Sequence, residues 1–373
     1  MNAALEIQII AVIVAVACAL PGTFLVLRKM SMMSDSITHT ILLGIVLAFF
    51  ITHDLSSPFL IVGAAVIGVI TVWLTEMVTK TRLVSEDSAI GIVFPLLFSI
   101  AIILITRYAG SVHLDTDSVL LGELAFAPFD RMVIFGHDIG ARAIYSTGFL
   151  LLINVAFIAI FYKELKVGTF DPMLAGVLGF SPVFLHYALM TLVSLTTVGS
   201  FEAVGSILVV AFMIGPPITA YLLTDDLKTM LILGAFFGAL SGILGYQSAA
   251  YFDVSIAGMM AVMTGVIFLV TFIFAPKRGL VSIILRKRKQ RKEFAEATLL
   301  FHVCHHQNTD VAHIENGIKT IPEHLHWSDD KLHQTIEALK EKGNIVINNN
   351  VIVATESGIA LSESLKNKLL GKK

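Results

Sequence analysis

Long apolar runs separated by short polar connections occupy the first three quarters of the chain. A helix needs about 20 predominantly apolar residues to cross a bilayer. Nine runs approach that length, at 4–27, 36–52, 58–79, 88–106, 142–162, 182–198, 204–223, 229–247 and 254–275. The run at 36–52 is short, and glycines interrupt the stretch 182–223. The pattern therefore predicts an all-α polytopic membrane protein with eight or nine transmembrane helices over 1–279.

The pattern changes after residue 279. The stretch 280–292 is strongly basic and predicts a juxtamembrane linker attracted to anionic lipid. Beyond it, 293–373 is amphipathic and polar enough to form a small cytoplasmic domain. The predicted elements are helices at 294–306, 309–317 and 328–342, a hairpin within 344–358 that turns at Asn348 to Asn350, and a last helix from Ile359. Helices followed by a two-stranded wing predict a small α+β winged helix-turn-helix domain.

Composition agrees with a membrane protein and limits the possible chemistry. The 373 residues are 56% hydrophobic and 14% charged, with a mean hydropathy of +0.83, well outside the range of soluble domains. The two cysteines, Cys18 and Cys304, lie far apart in chemically different regions and indicate neither a disulfide framework nor a thiolate metal site. The chain has no phosphate-binding G-x-x-x-x-G-K-[ST] motif, so any ATP hydrolysis belongs to another subunit.

Basic residues in short connections predict the orientation of the chain. With nine spans, all of these residues fall on the same side of the membrane, which the positive-inside rule makes the cytoplasm. The N-terminus is then outside and the C-terminal domain cytoplasmic, in a bacterial cell membrane. The residues are Arg28, Lys29, Lys80, Arg82, Lys163, Lys166, Lys228, Lys277 and Arg278.

Asp35 and His39 stand at the start of an apolar run, where ionisable residues are costly. Their i, i+4 spacing places both side chains on one face of a helix. A carboxylate with a neutral imidazole suits Mn²⁺, Fe²⁺ or Zn²⁺. The alternatives are that Asp35 caps the second helix and that His39 is a packed histidine, and spacing alone slightly favours the cap.

The connection at 107–141 lies on the outer side and is rich in acidic residues and histidine. A cation funnel is one interpretation, and an ordinary solvated loop is the one that composition favours. The candidate funnel residues are His113, Asp115, Asp117 and Glu123, with Asp130, His137 and Asp138 further along.

Two proline-containing stretches also predict unusual structure. On the cytoplasmic side, Asp171 and Pro172 predict the start of a short helix that ends at Gly179; the alternative is an interfacial helix lying on the lipid. Within a predicted span, Pro216 and Pro217 remove backbone hydrogen bonds and predict a broken helix near a pathway.

Several segments in this order resemble the membrane permeases of the ATP-binding-cassette importers for manganese, zinc and iron, over about 5–279. They are "LVLRKMSMMSDSITHTILLGI", "SEDSAIGIVF", "TFDPMLAGVLGF" and the long stretch from "FEAVGSILVV" to "FAPKRG". The resemblance implies that Asp35 and His39 are the transit site for the ion, which reverses the preference for a cap. It also implies a coupling helix that docks on the ATPase, formed by Phe170, Asp171, Pro172, Leu174 and Ala175.

The same resemblance implies partners and a substrate. The partners are a cytoplasmic ATP-binding-cassette ATPase, an extracellular or periplasmic metal-binding protein, and a second permease, identical or related. The transported ion is Mn²⁺, with Zn²⁺ or Fe²⁺ as the other candidates. No permanently bound cofactor is expected, and the chain is a transport subunit rather than an enzyme.

The C-terminal domain resembles the winged-helix domain of metal-dependent iron and manganese repressors. That likeness raises the alternative of a membrane-tethered, metal-responsive transcriptional regulator. Nucleic acid is a disfavoured partner, since the stretch "SDDKLHQTIEALKEKG" has four acidic residues and no arginine. Seven of the twelve histidines lie in this domain, and a metal-sensing tail is a hypothesis beside the simpler one of surface histidines. The seven are His302, His305, His306, His313, His324, His326 and His333.

Overall fold

Nine apolar helices long enough to cross a membrane are found in the computed structural model, which describes residues 2–54, 57, 59–108, 124–134 and 137–369. The nine runs seen in the sequence are thereby confirmed as helices. In chain order the helices of residues 1–279 are α1 (Ala3–Leu27), α2 (Ser31–Thr52), α3 (Phe59–Lys80), α4 (Glu86–Tyr108), α5 (Arg142–Ile160), the short α6 (Tyr162–Phe170) and α7 (Pro172–Val177), α8 (Pro182–Val204), α9 (Ser206–Leu223), α10 (Leu227–Phe252) and α11 (Ile256–Phe274).

Local side chains determine where several of these helices begin and end. Ser181 and Asp226 are N-caps whose side chains accept hydrogen bonds from the amides of Phe184 and Thr229, which satisfies amides that lack helical partners. Between α8 and α9 the chain turns at Gly205, whose φ of 78° and ψ of 167° favour glycine. Gly205 therefore marks the boundary between two helices within 182–223, a boundary that the apolar pattern alone does not locate.

Helix α1 is the most buried of the nine and packs against α5, α8, α9 and α10. Helix α2 packs chiefly on α3 and α4. At the crossing of α2 and α3, Gly44 and Gly63 face each other, and a Cβ on Gly44 would overlap the carbonyl oxygen of Gly63. Small residues at this point let the two backbones approach closely, which fixes the position of α2.

The two prolines in α9 do not break the helix. Pro216 and Pro217 are buried within the continuous segment Ser206–Leu223, so the prediction of a broken helix is wrong. A proline in a helix removes the hydrogen bond to the carbonyl four residues earlier, and for Pro217 this is the carbonyl of Met213. Gly22 of α1 packs directly against that carbonyl oxygen, where a Cβ would overlap it. Helix α1 therefore packs closely over this carbonyl.

The segment between α4 and α5 contains structure that the sequence did not predict. A 3₁₀ turn at Ala127–Phe129 precedes two short antiparallel strands, β1 (Arg131–Ile134) and β2 (His137–Ala141), paired with an irregularity between Arg131 and Val133. The hairpin leads straight into α5, so this part of the connection is folded.

The second compact unit covers residues 280–373. Its elements are α12 (Leu280–His306), α13 (Ala312–Glu315), α14 (Ile321–Leu325), α15 (Asp329–Glu341), β3 (Ile345–Asn348), β4 (Val351–Ala354) and α16 (Glu356–Leu369). The basic stretch 280–292, expected as a linker, is helical and continuous with the predicted helix at 294–306. Helix α14 was not predicted, and α16 begins at Glu356 rather than at Ile359.

A small apolar core holds this unit together. Buried side chains of α12 (Leu299, Val303) pack against α15 (Leu332, Ile336) and against the hairpin residue Ile352. Strands β3 and β4 pair in regular antiparallel register around a two-residue loop, Asn349 and Asn350, both with positive φ. Two such residues are typical of a type I′ turn, which confirms the predicted hairpin and its turn.

Candidate metal transit site and its surroundings

Asp35 and His39 lie on one face of α2, as their spacing predicts. Helix α2 begins at Ser31, after an N-cap at Met30 that makes no side-chain cap hydrogen bond. Asp35 is therefore in the second turn, and the alternative that it caps the helix is not supported. His39 Nε2 lies 3.6 Å from Asp35 Oδ1, beyond hydrogen-bonding distance but in the range of about 3–4 Å expected between two ligands of one transition-metal ion.

The surroundings of the pair are aromatic on one side and open on the other. The His39 ring lies 5.2 Å and 6.0 Å, between centroids, from the rings of Phe94 and Phe98 on α4. The side chains of Asp35 and His39 are 47% and 30% exposed. Within the described part of the chain, no third histidine, cysteine or carboxylate joins them in a close cluster. Two protein ligands with open positions suit an ion that must be released again.

The other face of α2 is held by polar contacts inside the helix bundle. The hydroxyl of Ser34 donates to Met213 Sδ on α9, at 3.1 Å. Further along, Thr71 of α3 donates to Thr40 of α2, at 2.8 Å. These buried contacts set the rotation of α2 about its axis and direct Asp35 and His39 away from the bundle core.

Four of the predicted funnel residues, His113, Asp115, Asp117 and Glu123, lie outside the described residues. The adjoining part of the segment contains an ion-pair network centred on Arg131. Arg131 Nη1 donates to both carboxylate oxygens of buried Glu6, at 3.0 Å and 2.9 Å. Its Nε donates to both oxygens of Asp138, at 3.0 Å and 2.8 Å. Asp138 is therefore committed to Arg131.

This pairing shifts the pKa values of both surface groups. The hydrogen bonds from Arg131, followed by one from the Gly140 amide, lower the pKa of Asp138 below that of an ordinary aspartate. The hydrogen bonds to Asp138 and Glu6 raise the pKa of Arg131. Both groups keep their charges near neutral pH, and the hairpin is tied to the first turns of α1.

A second polar network, which the sequence did not indicate, joins the opposite ends of the helices. Glu76 of α3 contacts two residues of α8. Its Oε1 lies 2.5 Å from His186 Nε2, and its Oε2 accepts a hydrogen bond from the Tyr187 hydroxyl at 2.9 Å. Arg28, which follows α1, lies 3.3 Å from His186 Nδ1 through Nη1. A guanidinium can only donate, so this imidazole nitrogen accepts. Arg28 Nε also donates to Thr169, at 3.2 Å.

Thr169 immediately precedes the segment predicted to couple to an ATPase. Asp171 is the N-cap of α7, and its side chain accepts from the Leu174 amide at 2.9 Å. The helix ends before Gly179, whose φ is 86°, as predicted. Ala175 is buried, whereas Phe170 and Leu174 are 58% and 46% exposed. The segment therefore presents apolar side chains on a short, capped helix that one buried alanine anchors.

Comparison with known proteins identifies the family of the chain. A model of the ABC 3 transport family matches residues 2–275. The zinc transport system membrane protein TroD of Treponema pallidum is 42% identical over 360 residues, covering 96% of this chain and 98% of that protein. The manganese transport system membrane protein MntD of Bacillus subtilis is 46% identical over 284 residues, covering 76% of this chain and 96% of that protein.

A solved structure shows the same arrangement of helices. PsaBC from Streptococcus pneumoniae in complex with Fab matches with a TM-score of 0.62 and 30% identity, over 74% of this chain and 94% of that one. The family match over most of the chain and the alignment with TroD over nearly the whole chain establish the family. The chain is a multi-pass membrane permease and belongs to the ABC 3 transport family.

Proposed function

We propose that the chain is the permease of an ATP-driven importer that carries Mn²⁺, with Zn²⁺ and Fe²⁺ as the other candidate ions. The observation that supports this most is the pairing of Asp35 and His39, 3.6 Å apart on the open face of α2. The relatives are named for zinc and manganese transport, and a carboxylate with an imidazole and no cysteine suits manganese.

The proposed transit site holds its ion by few protein ligands. Asp35 supplies negative charge and His39 a neutral nitrogen, and water or a second permease subunit completes the coordination. Weak, incomplete coordination allows the ion to leave when the site opens to the cytoplasm. The exposure of both side chains in a single chain is consistent with a site that faces a second permease, identical or related.

We further propose that α7 couples this movement to a separate ATPase. Phe170, Asp171, Pro172, Leu174 and Ala175 form the docking segment, with the exposed Phe170 and Leu174 entering an apolar groove of the ATPase. The network of Arg28, His186 and Glu76 ties the adjoining Thr169 to the ends of three membrane helices. A shift of α7 would therefore move α1, α3 and α8 together.

For the second unit we propose a winged-helix arrangement on the cytoplasmic side. The order α12, short helices, α15 and a hairpin supports it, with α14 and α15 as the helix-turn-helix and β3 and β4 as the wing. Asp329, Asp330 and Glu337 on α15 are exposed, which is unsuited to contact with DNA phosphates. The proposed role is regulation of transport rather than transcription.

A metal-binding protein outside the cell is the proposed donor of the ion.

The test is uptake of radioactive Mn²⁺ and Zn²⁺ in bacteria that lack their own importer. The cells express this chain with its ATPase and its binding protein. We expect Asp35→Asn and His39→Ala each to lower Mn²⁺ uptake at least about tenfold, since even outer partners of metal ligands are worth that much. Matched controls are Asp87→Asn, at the exposed start of α4, and His53→Asn, just beyond the far end of α2. These should transport normally at equal expression.

Persistent uptake in both transit-site variants would show that the ion follows another route. His113, Asp115, Asp117 and Glu123 would then be the next residues to replace. Uptake of Zn²⁺ alone would change the proposed substrate and leave the site in place.

A further inference from the structure

Three potential metal ligands from three separate elements meet in the second unit. His302 lies near the end of α12, Glu315 ends α13, and His324 is in α14. One ligand atom from each lies within 4.8 Å of the other two. Sequence spacing pointed to the histidines of α12, but it could not show that Glu315 and His324 fold back against them.

The contacts within this cluster orient the side chains. His324 Nδ1 lies 2.8 Å from Glu315 Oε2. His302 Nε2 lies 2.9 Å from the backbone carbonyl oxygen of Glu315. A carbonyl can only accept, so Nε2 carries a proton, and in the neutral imidazole Nδ1 is the nitrogen left to bind a metal. A metal-binding histidine is commonly held in this way, with its other ring nitrogen donating to a carbonyl.

The backbone around the cluster is firmly supported. Asn316, which follows Glu315, is buried and donates from Nδ2 to the Val303 carbonyl of α12, at 3.1 Å. Its own carbonyl accepts from the Ile352 amide of β4, at 2.9 Å, and the Ile318 amide donates to the Asn350 carbonyl. The turn that carries Glu315 is therefore fixed between α12 and the hairpin, so the cluster is organised before any ion binds.

A fourth histidine adjoins the three. The ring centroid of His306 lies 4.9 Å from that of His302, which is one helical turn earlier in α12, and the His302 and His324 ring centroids are 6.0 Å apart. Cys304, between them in sequence, packs against the apolar core instead. The available donors are thus nitrogens and a carboxylate oxygen, without sulfur.

We propose that His302, Glu315 and His324, with His306 at the edge, form a second divalent-metal site, separate from the transit site. Two imidazoles and one carboxylate suit Zn²⁺, Mn²⁺ or Fe²⁺. By the Irving–Williams order the site should bind Zn²⁺ more tightly than Mn²⁺. Three protein ligands leave a position for water, which suits reversible binding. Its use as a sensor of cytosolic metal rests on the proposed function, but binding itself does not.

The experiment uses the purified full-length chain with Asp35→Asn and His39→Ala in every sample, so that zinc at the transit site does not contribute. Zn²⁺ affinity is measured by competition with a chromophoric chelator. We expect one bound Zn²⁺, and a loss of at least about tenfold in affinity when His324→Gln or Glu315→Gln is added. The matched control is His333→Gln, an exposed histidine on α15 outside the cluster.

Two results would overturn the proposal. One is unchanged Zn²⁺ affinity in both cluster variants, and the other is an equal loss in the His333→Gln control. Because His324 and Glu315 are partly exposed, circular dichroism and gel-filtration profiles should match those of the parent and exclude misfolding as the cause of a loss. Co²⁺ substituted for Zn²⁺ adds a second test, since a thiolate charge-transfer band would assign the ion to Cys304 instead.

Failure here is distinguishable from failure of the proposed transport function. A chain with the native transit site and without zinc binding at the tail cluster would still take up Mn²⁺. Conversely, zinc binding at the cluster would survive even if Asp35 and His39 proved irrelevant to uptake.

Discussion

At the scale of single residues, Glu6 shows how strongly a buried charge depends on its partner. It is 1% exposed and receives both of its hydrogen bonds from Arg131. Replacing Arg131 with glutamine leaves a buried carboxylate without its cation, which is far more costly than losing the whole pair. We therefore expect Arg131→Gln to lower the thermal midpoint of the detergent-purified chain clearly, and Arg131→Gln with Glu6→Gln to recover most of it.

The comparison variant is Asp138→Asn, which removes the other, half-exposed partner of Arg131. Its effect should be the smallest of the three, because an exposed ion pair contributes little. If Arg131→Gln were as mild as Asp138→Asn, the contact of Arg131 with buried Glu6 would contribute no more to stability than its contact with Asp138.

The lowered pKa of Asp138 predicts how this pair responds to acid. Hydrogen bonds from Arg131 and Gly140 stabilise the carboxylate in the folded chain, so its contribution is present above the unfolded pKa and is lost as pH falls through the folded pKa. The midpoint difference between the native chain and Asp138→Asn should be constant from about pH 7 to 5 and disappear below about pH 4, near and under the ordinary aspartate pKa.

Thermal unfolding at a series of pH values measures this difference directly. A difference that instead disappeared near pH 6 would indicate that a histidine controls the hairpin, since imidazole titrates in that range.

The residue scale also shows what sequence could and could not predict about the site. The i, i+4 spacing of Asp35 and His39 places them on one face of any helix, so their proximity was predictable. Glu76 and His186 come from α3 and α8, and no local pattern relates positions so far apart. The cluster of His302, Glu315 and His324 was not predicted for the same reason, because it depends on a turn that forms only in the folded unit.

At the scale of elements, the crossing of α2 and α3 sets the position of the transit site. A methyl group on Gly44 would overlap the Gly63 carbonyl oxygen, and a backbone atom cannot move aside as a side chain can. We expect Gly44→Ala to destabilise the bundle by about 1–3 kcal/mol, the usual cost of overpacking. Uptake of Mn²⁺ should fall as well, since α2 carries both Asp35 and His39.

Gly148 in α5 offers a matched control, because a Cβ there would meet nothing within 4 Å among the described residues. Gly148→Ala should keep uptake and gain up to about 1 kcal/mol from helix propensity. Thermal midpoints and uptake are measured for both variants. Equal behaviour of the two would mean that the crossing of α2 and α3 adapts without cost.

Elements were predictable wherever the chain's apolar pattern was long. Bilayer thickness imposes a minimum length on each span, and all nine runs proved to be helices with ends shifted by a few residues. The strands β1 and β2 were missed because they are only four and five residues long, too short to give a clear alternating pattern. Pro216 and Pro217 suggested a break, but they lie in a continuous helix against which α1 packs closely, and local sequence does not show that packing.

At the scale of the whole molecule, the two compact units have different relations to known proteins. The family model ends at residue 275, close to the end of the first unit. TroD aligns over 96% of this chain, which necessarily includes most of the second unit. MntD aligns over only 76% of this chain, although the alignment covers 96% of MntD itself. A relative of this family can therefore consist of little more than the first unit.

A chain that stops after Gly279, at the boundary between the two units, should keep its transport activity. The nine membrane helices, the transit pair and α7 all remain, so we expect Mn²⁺ uptake to persist within about twofold at equal membrane expression, a change of less than 1 kcal/mol. Zinc binding outside the transit site should disappear with the cluster of His302, Glu315 and His324. Uptake in cells preloaded with Zn²⁺ then tests regulation.

If the second unit senses metal, preloading should slow uptake by the full chain and leave the shortened chain unaffected. The full chain carrying His324→Gln is the control for loss of the ligand without loss of the domain, and it should behave like the shortened one. Equal slowing of all three would assign the effect to the transit site or to the ATPase, because those are the parts that the three proteins share.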